Sequence, residues 1–137
     1  MSLAAIRSAM AAGLRATVTA AAVYEYPYLK LGQDSPIILL ERTSTTRDVA
    51  ALGGAYTRTH RITAHVFVAF DGENYTQQQS ENDLDACEEA IEAWATANRT
   101  GLFWRRLAIV GPTQVDVVPV QGGARRHAAI PLEVLEV

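Results

Sequence analysis

The chain predicts an α+β fold, a mostly antiparallel β-sheet with two α-helices packed on one face. Three observations lead there. In residues 60–75, HRITAHVFVAFDGENY, Ile62, Ala64, Val66, Val68 and Phe70 alternate with Arg61, Thr63, His65, Phe67 and Ala69, the period-two pattern of a strand. Two other stretches carry apolar residues at three- and four-residue spacing, the period of a helix. Their order is helix, strands, helix, strands; such runs suit an antiparallel sheet with its helices on one side. With 137 residues the expectation is a single domain, 1–137. Such a chain can bury roughly two-thirds of its unfolded surface.

The first helix takes Leu3, Ile6, Met10 and Leu14 as one face and Ala5, Ala9, Ala12 and Ala16 as a second. Gly13 weakens it by about 1 kcal/mol relative to Ala and predicts fraying or an early end. The alanine-rich start lacks acidic residues as far as Tyr24 and so has the texture of a transit or weak signal peptide. Arg15 interrupts its apolar run, and an ordinary first helix is the preferred reading. Residues 19–26 read as a short strand, Pro27 and Pro36 punctuate a connection, and 36–42, PIILLER, reads as a buried strand. Residues 43–57, TSTTRDVAALGGAYT, show neither period and predict a mobile loop, a length that is often functional.

The strand at 60–70 ends at Asp71–Gly72, and a second helix runs from Thr76 or Ser80 to Asn98. Ser80 and Asp83 match a capping box, and Gly101 can close the far end. Leu84, Cys87, Ile91 and Trp94 form its apolar face, Ala86, Ala90, Ala93 and Ala97 a small-residue face, and Glu81, Asp85, Glu88 and Glu92 an acidic one. The two alanine faces are expected to meet. Three strands follow: RLAIVG, TQVDVVPV and RRHAAIPLEVLEV, the last two joined by a hairpin at Gln121–Gly122–Gly123. Pro131 predicts an edge or a bulge for the last of them.

Little in this sequence points to covalent chemistry. His60 and His65 point to opposite faces of their strand, each reading as a partly exposed polar-face residue, and neither has a partner at zinc spacing. Cys87 lies in the apolar row of an acidic helix, where burial and carboxylates raise a thiol pKa. There is no nucleophile elbow, calcium loop or phosphate loop. The expectation is no enzyme, no cofactor and no metal. A net charge of −3 gives no overall pull toward nucleic acid. Charge is instead segregated, with carboxylates on the second helix and arginines at 42, 47, 58, 61, 105, 106, 125 and 126.

Over nearly the full chain this layout resembles the tail terminator (tail completion) proteins of long-tailed bacteriophages. The likeness rests on LAAIRSAMAAGL, SPIILLE, HRITAHVFVAFDGENY, NDLDACEEAIEAW and RRHAAIPLEVLEV in that order. It implies a virion assembly protein that closes into a hexameric ring on the tail tube, ends tube polymerisation and presents a surface for the head. The implied partners are further copies of itself, the tail tube protein and a head-side connector protein, with no membrane and no sequence-specific nucleic acid. The implied location is the virion tail, assembled in the host cytoplasm. For subunit or tube contacts the charge pattern points to Glu81, Asp85, Glu88 and Glu92 on one side and Arg125 and Arg126 on the other, with Arg42 and Arg47 at the loop. The Thr-rich stretch at 43–57 matches no contact residue of that family. Head–tail connector and neck proteins share this layout. A small dimeric α+β-barrel enzyme and a non-viral binding module are the readings from other classes.

Overall fold

The computed structural model describes residues 3–20, 22–27, 35–49, 56–70, 77–120 and 123–137. Helix α1 spans Leu3–Thr17 and is followed by strands β1 (Ala22–Tyr24), β2 (Ile37–Val49) and β3 (Tyr56–Ala69). Helix α2 spans Gln77–Ala97, and strands β4 (Trp104–Ile109), β5 (Gln114–Val120) and β6 (Gly123–Glu136) complete the order. The sheet runs β1-β2-β3-β6-β4, with β5 also on β6. Among the described strands only the β1–β2 pair is parallel. The chain is therefore α+β, as its element order predicts.

One face of the sheet carries the core. Ile38 and Leu40 of β2, Ile62, Ala64, Val66 and Val68 of β3, and Ala128, Ile130, Leu132 and Val134 of β6 are buried together. Both helices lie against them, α1 through Ile6, Met10, Ala11 and Leu14, and α2 through Leu84, Cys87, Ile91, Trp94 and Ala95. Burying each large aliphatic side chain contributes about 1.5–3 kcal/mol, so the periodicity seen in the sequence is the pattern that burial requires.

The alanine rows are buried only in part, with Ala9 and Ala90 half-buried against the core. Ala12, Ala16, Ala86, Ala93 and Ala97 are exposed. The close contact is Gly13 against the Trp94 indole, where a β-carbon on residue 13 would lie 2.5 Å from Nε1. Accordingly Gly13 does not end the helix early: α1 continues to Thr17, whose hydroxyl donates to the Gly13 carbonyl at 2.7 Å. At the start of α2 the capping box is absent. Ser80 lies inside the first turn with its side chain fully buried, because the helix already begins at Gln77. Gly101 does not close the other end either. Asn98 does so, with its backbone and side-chain nitrogens both donating to the Trp94 carbonyl, while the Trp104 indole N–H donates to the Asn98 carbonyl at 2.8 Å.

Strand β6 is interior, contrary to the expectation set by Pro131. Its one edge pairs with β3, and its other edge is shared end to end by β4, from Trp104↔Glu136 to Ile109↔Leu132, and β5, from Gln114↔Ala129 to Val120↔Gly123. Pro131 falls in the break between the two. Its carbonyl accepts from the Val110 N–H at 2.9 Å, and the absent proline N–H faces a stretch where no ladder runs. The break is turned by Gly111, whose φ of 74° lies in the region that favours glycine.

Residues 43–49 and 56–57, expected within a mobile loop, are strand. Strand β2 continues to Val49 and pairs in register with β3 as far as Val49↔Tyr56, with one irregularity between Arg42 and Ser44. The remainder of that expected loop, 50–55, lies outside the described residues. Threonine suits an extended backbone, but apart from Val49 and Tyr56 both faces here are polar, so no alternation marks the strand.

Candidate assembly surface

Pairing decides which parts of the sheet are free. Strand β6 covers β3 only from Thr59 onward, and β1 covers β2 only at 37–39. Residues 47–49 and 56–58 thus form a two-stranded ribbon that extends past the sheet, with no described strand on either edge. Three residue pairs project it by roughly 10 Å. A bare ribbon of this kind is marginal in water unless something packs on it.

Register then assigns the ribbon's faces. Arg47 lies directly opposite Arg58, and Val49 directly opposite Tyr56, on the same side of the sheet as the helices. Both arginines are exposed, as is Arg42 on the same side. Like charges placed directly across a strand pair are unfavourable, and neither arginine has a carboxylate partner among the described residues. Val49 and Tyr56 are 69% and 60% exposed, so the ribbon presents an apolar pair beyond a basic one.

The acidic row on α2 is split. Glu81 Oε1 lies 2.6 Å from Arg126 Nε, an ionic contact. The pairing expected between chains, acidic helix to terminal-strand arginine, is thus formed within one chain. Arg125 is buried at 7% exposure and is not an open contact residue. Both facts follow from β6 being interior. Asp85, Glu88 and Glu92 remain without a cation among the described residues. Burial first, and then the charges of Asp85, Glu92 and Glu81, raise the Glu88 carboxyl above its usual value. Cys87 is pushed up to about 11 by burial and by Asp83 and Glu88, which keeps it a thiol.

Of the two β3 histidines, His65 is the partly exposed polar-face residue expected, on the face away from the helices, whereas His60 is buried. His60 is 3% exposed on the helix side, with Nδ1 2.8 Å from Thr45 Oγ1 and Nε2 2.8 Å from Glu136 Oε2. That trio ties β2, β3 and β6 together. On the opposite face His65 Nε2 meets Glu41 at 3.1 Å, His65 Nδ1 meets His127 Nε2 at 2.8 Å, and His127 Nδ1 meets Asp116 at 2.7 Å. Phe67 stacks on the His127 ring with centroids 4.7 Å apart. Making all three bonds at once takes three N–H protons, one more than two neutral rings carry. This chain of side chains spans β2, β3, β6 and β5. Its signal was not available locally, because His65 and His127 are 62 residues apart.

Two open grooves border α2. One, of about 390 Å³, lies between its C-terminal half and β4, lined in part by Glu92, Arg99 and Arg106. The other, of about 330 Å³, lies between α2 and the end of α1, lined in part by Ala86, Cys87 and Ala90. Among the described residues no group of three or more His, Cys, Asp or Glu side chains is placed to hold a metal ion. No described helix is long and apolar enough to cross a membrane. No family model matches the chain, and no curated protein matches it.

Proposed function

We propose that this chain is a structural assembly protein of a long-tailed phage virion, a tail terminator. In this reading it closes into a hexameric ring with copies of itself on the last ring of the tail tube. The ring ends tube polymerisation and offers the surface on which a head-side connector protein joins. It acts in the virion tail after assembly in the host cytoplasm, by shape and charge, with no turnover and no cofactor.

The observation that carries this reading is the ribbon at 47–49 and 56–58. A sheet that extends two strands past its own core, exposes the apolar pair Val49 and Tyr56 and sets two arginines against each other leaves surface that no described residue of the chain completes, which suits a partner molecule. The order and texture of the elements, which resemble those of tail terminators, supply the partner class.

The test is a tube polymerisation reaction containing purified tail tube protein, with and without this chain, read by electron microscopy. The expected result is tubes of limited length with an extra ring at one end. Tubes that grow without limit beside the added chain overturn the reading. If the chain then binds the head-side connector instead, the neck-protein alternative takes its place.

A further inference from the structure

The chain carries a second surface that complements the ribbon, at the diagonally opposite corner of the sheet. Strand β5 pairs with β6 on one edge only, next to the end of β3 that holds Val68, whereas the ribbon lies at the end of β3 that holds Tyr56. Val117 pairs with Arg126 and Val115 with Ala128, so both valines face the helix side. No described helix covers them, and each is 43% exposed. Arg126 in turn reaches Glu81 of α2. Val117, Arg126 and the acidic face of α2 are therefore neighbours. The exposed valines Val115 and Val117 thus lie on the same side of the sheet as the α2 row that continues from Glu81 to Asp85 and Glu88, an apolar strip beside an acidic one, called the notch below.

The ribbon has the reciprocal composition, with Val49 and Tyr56 apolar and Arg47 and Arg58 basic on one face. We infer that the ribbon of one copy seats in the β5–α2 notch of a second copy, with Arg47 and Arg58 against Asp85 and Glu88, and Val49 and Tyr56 over Val115 and Val117. This deepens the assembly reading and rests on it for the kind of partner, a second copy of this chain. The contact joins unlike surfaces. Residues 58 and 68 of one strand are separated by roughly 33 Å, so a ribbon cannot fold back into its own notch. Among the described residues each copy thus offers one open ribbon and one open notch, the arrangement from which rings or filaments are built. Docking would place carboxylates beside the opposed arginines and cover both apolar pairs. Its acidic half lies on α2, where the charge pattern suggests, while its basic half is Arg47 and Arg58 and not Arg125, which is buried, or Arg126, which Glu81 holds.

Sedimentation equilibrium of the full-length chain tests this, at about 0.05 M and about 0.5 M salt, since exposed charges are screened over shorter reach as salt rises. The wild-type chain is expected to self-associate, and more weakly at the higher salt. Arg47→Glu/Arg58→Glu and Asp85→Lys/Glu88→Lys, each checked for native circular dichroism, should each weaken association by more than roughly 10-fold, as like charges brought face to face do. An equal mixture of the two variants should associate again, because each ribbon then meets a notch of opposite sign. A wild-type chain that stays monomeric at high concentration, or a mixture no better than either variant alone, overturns the inference. Should the mixture recover while wild-type chain leaves tail tubes unregulated, the docking stands and the tail terminator reading falls. Should the chain cap tubes while the mixture fails to recover, the reverse holds.

Discussion

Gly13→Ala is expected to destabilise the protein, against the usual rule. Replacing an interior helix glycine by alanine ordinarily contributes about 0.5–1 kcal/mol of stability. Here the new β-carbon would stand 2.5 Å from Trp94 Nε1, 3.0 Å from Cε2 and 3.1 Å from Cζ2. The indole cannot swing aside freely, because its ring is 4% exposed and meets the Trp104 ring edge-on with centroids 6.3 Å apart. Overpacking of this kind costs roughly 1–3 kcal/mol, so after that gain the net loss should centre on about 1 kcal/mol and reach at most about 2.5 kcal/mol. For a domain of this size that lowers Tm by a few degrees, at roughly 3–5 °C per kcal/mol. Urea denaturation of the parent and Gly13→Ala, with the m-value compared to exclude a change in the unfolded state, gives the difference directly. Trp94→Phe supplies the cycle: a smaller ring relieves the clash, and the double variant should be more stable than the two single losses summed. A Gly13→Ala protein as stable as the parent, or more so, would refute the helix contact described above.

Two further outcomes follow from the charged side chains. Glu88→Gln should raise Tm at neutral pH, because the folded-state carboxyl is raised above its ordinary 4.5 and its ionised form opposes folding. That penalty is present above the raised folded value and is relieved as pH falls, so parent and variant should converge in acid; a Tm difference that grows on acidification would contradict the sign. His60→Ala should cost about 2–4 kcal/mol by urea denaturation, since it empties a buried site and removes one partner each from Thr45 and Glu136; a loss under about 0.5 kcal/mol would mean the trio does not tie the three strands.

Both helices, the central part of β3 and the faces they bury are legible in the order of residues. Ile62, Ala64, Val66 and Val68 had to share one side of a strand, and Leu84, Cys87, Ile91 and Trp94 one side of a helix. Local period and the drive to bury apolar surface act within a few residues and are visible there. The same signals place the acidic row on α2. What the tertiary structure alone decided is how strands pair, because register joins residues far apart in the chain. It put β6 inside the sheet, where Pro131 is accommodated by the gap between β4 and β5 and Arg125 is buried. It closed Glu81 onto Arg126 within the chain and brought His65 to His127. Residues 43–49 gave no periodic signal, since a ribbon largely exposed on both faces buries little of its own to impose one. That same lack of a buried side leaves Arg47, Val49, Tyr56 and Arg58 exposed for a partner.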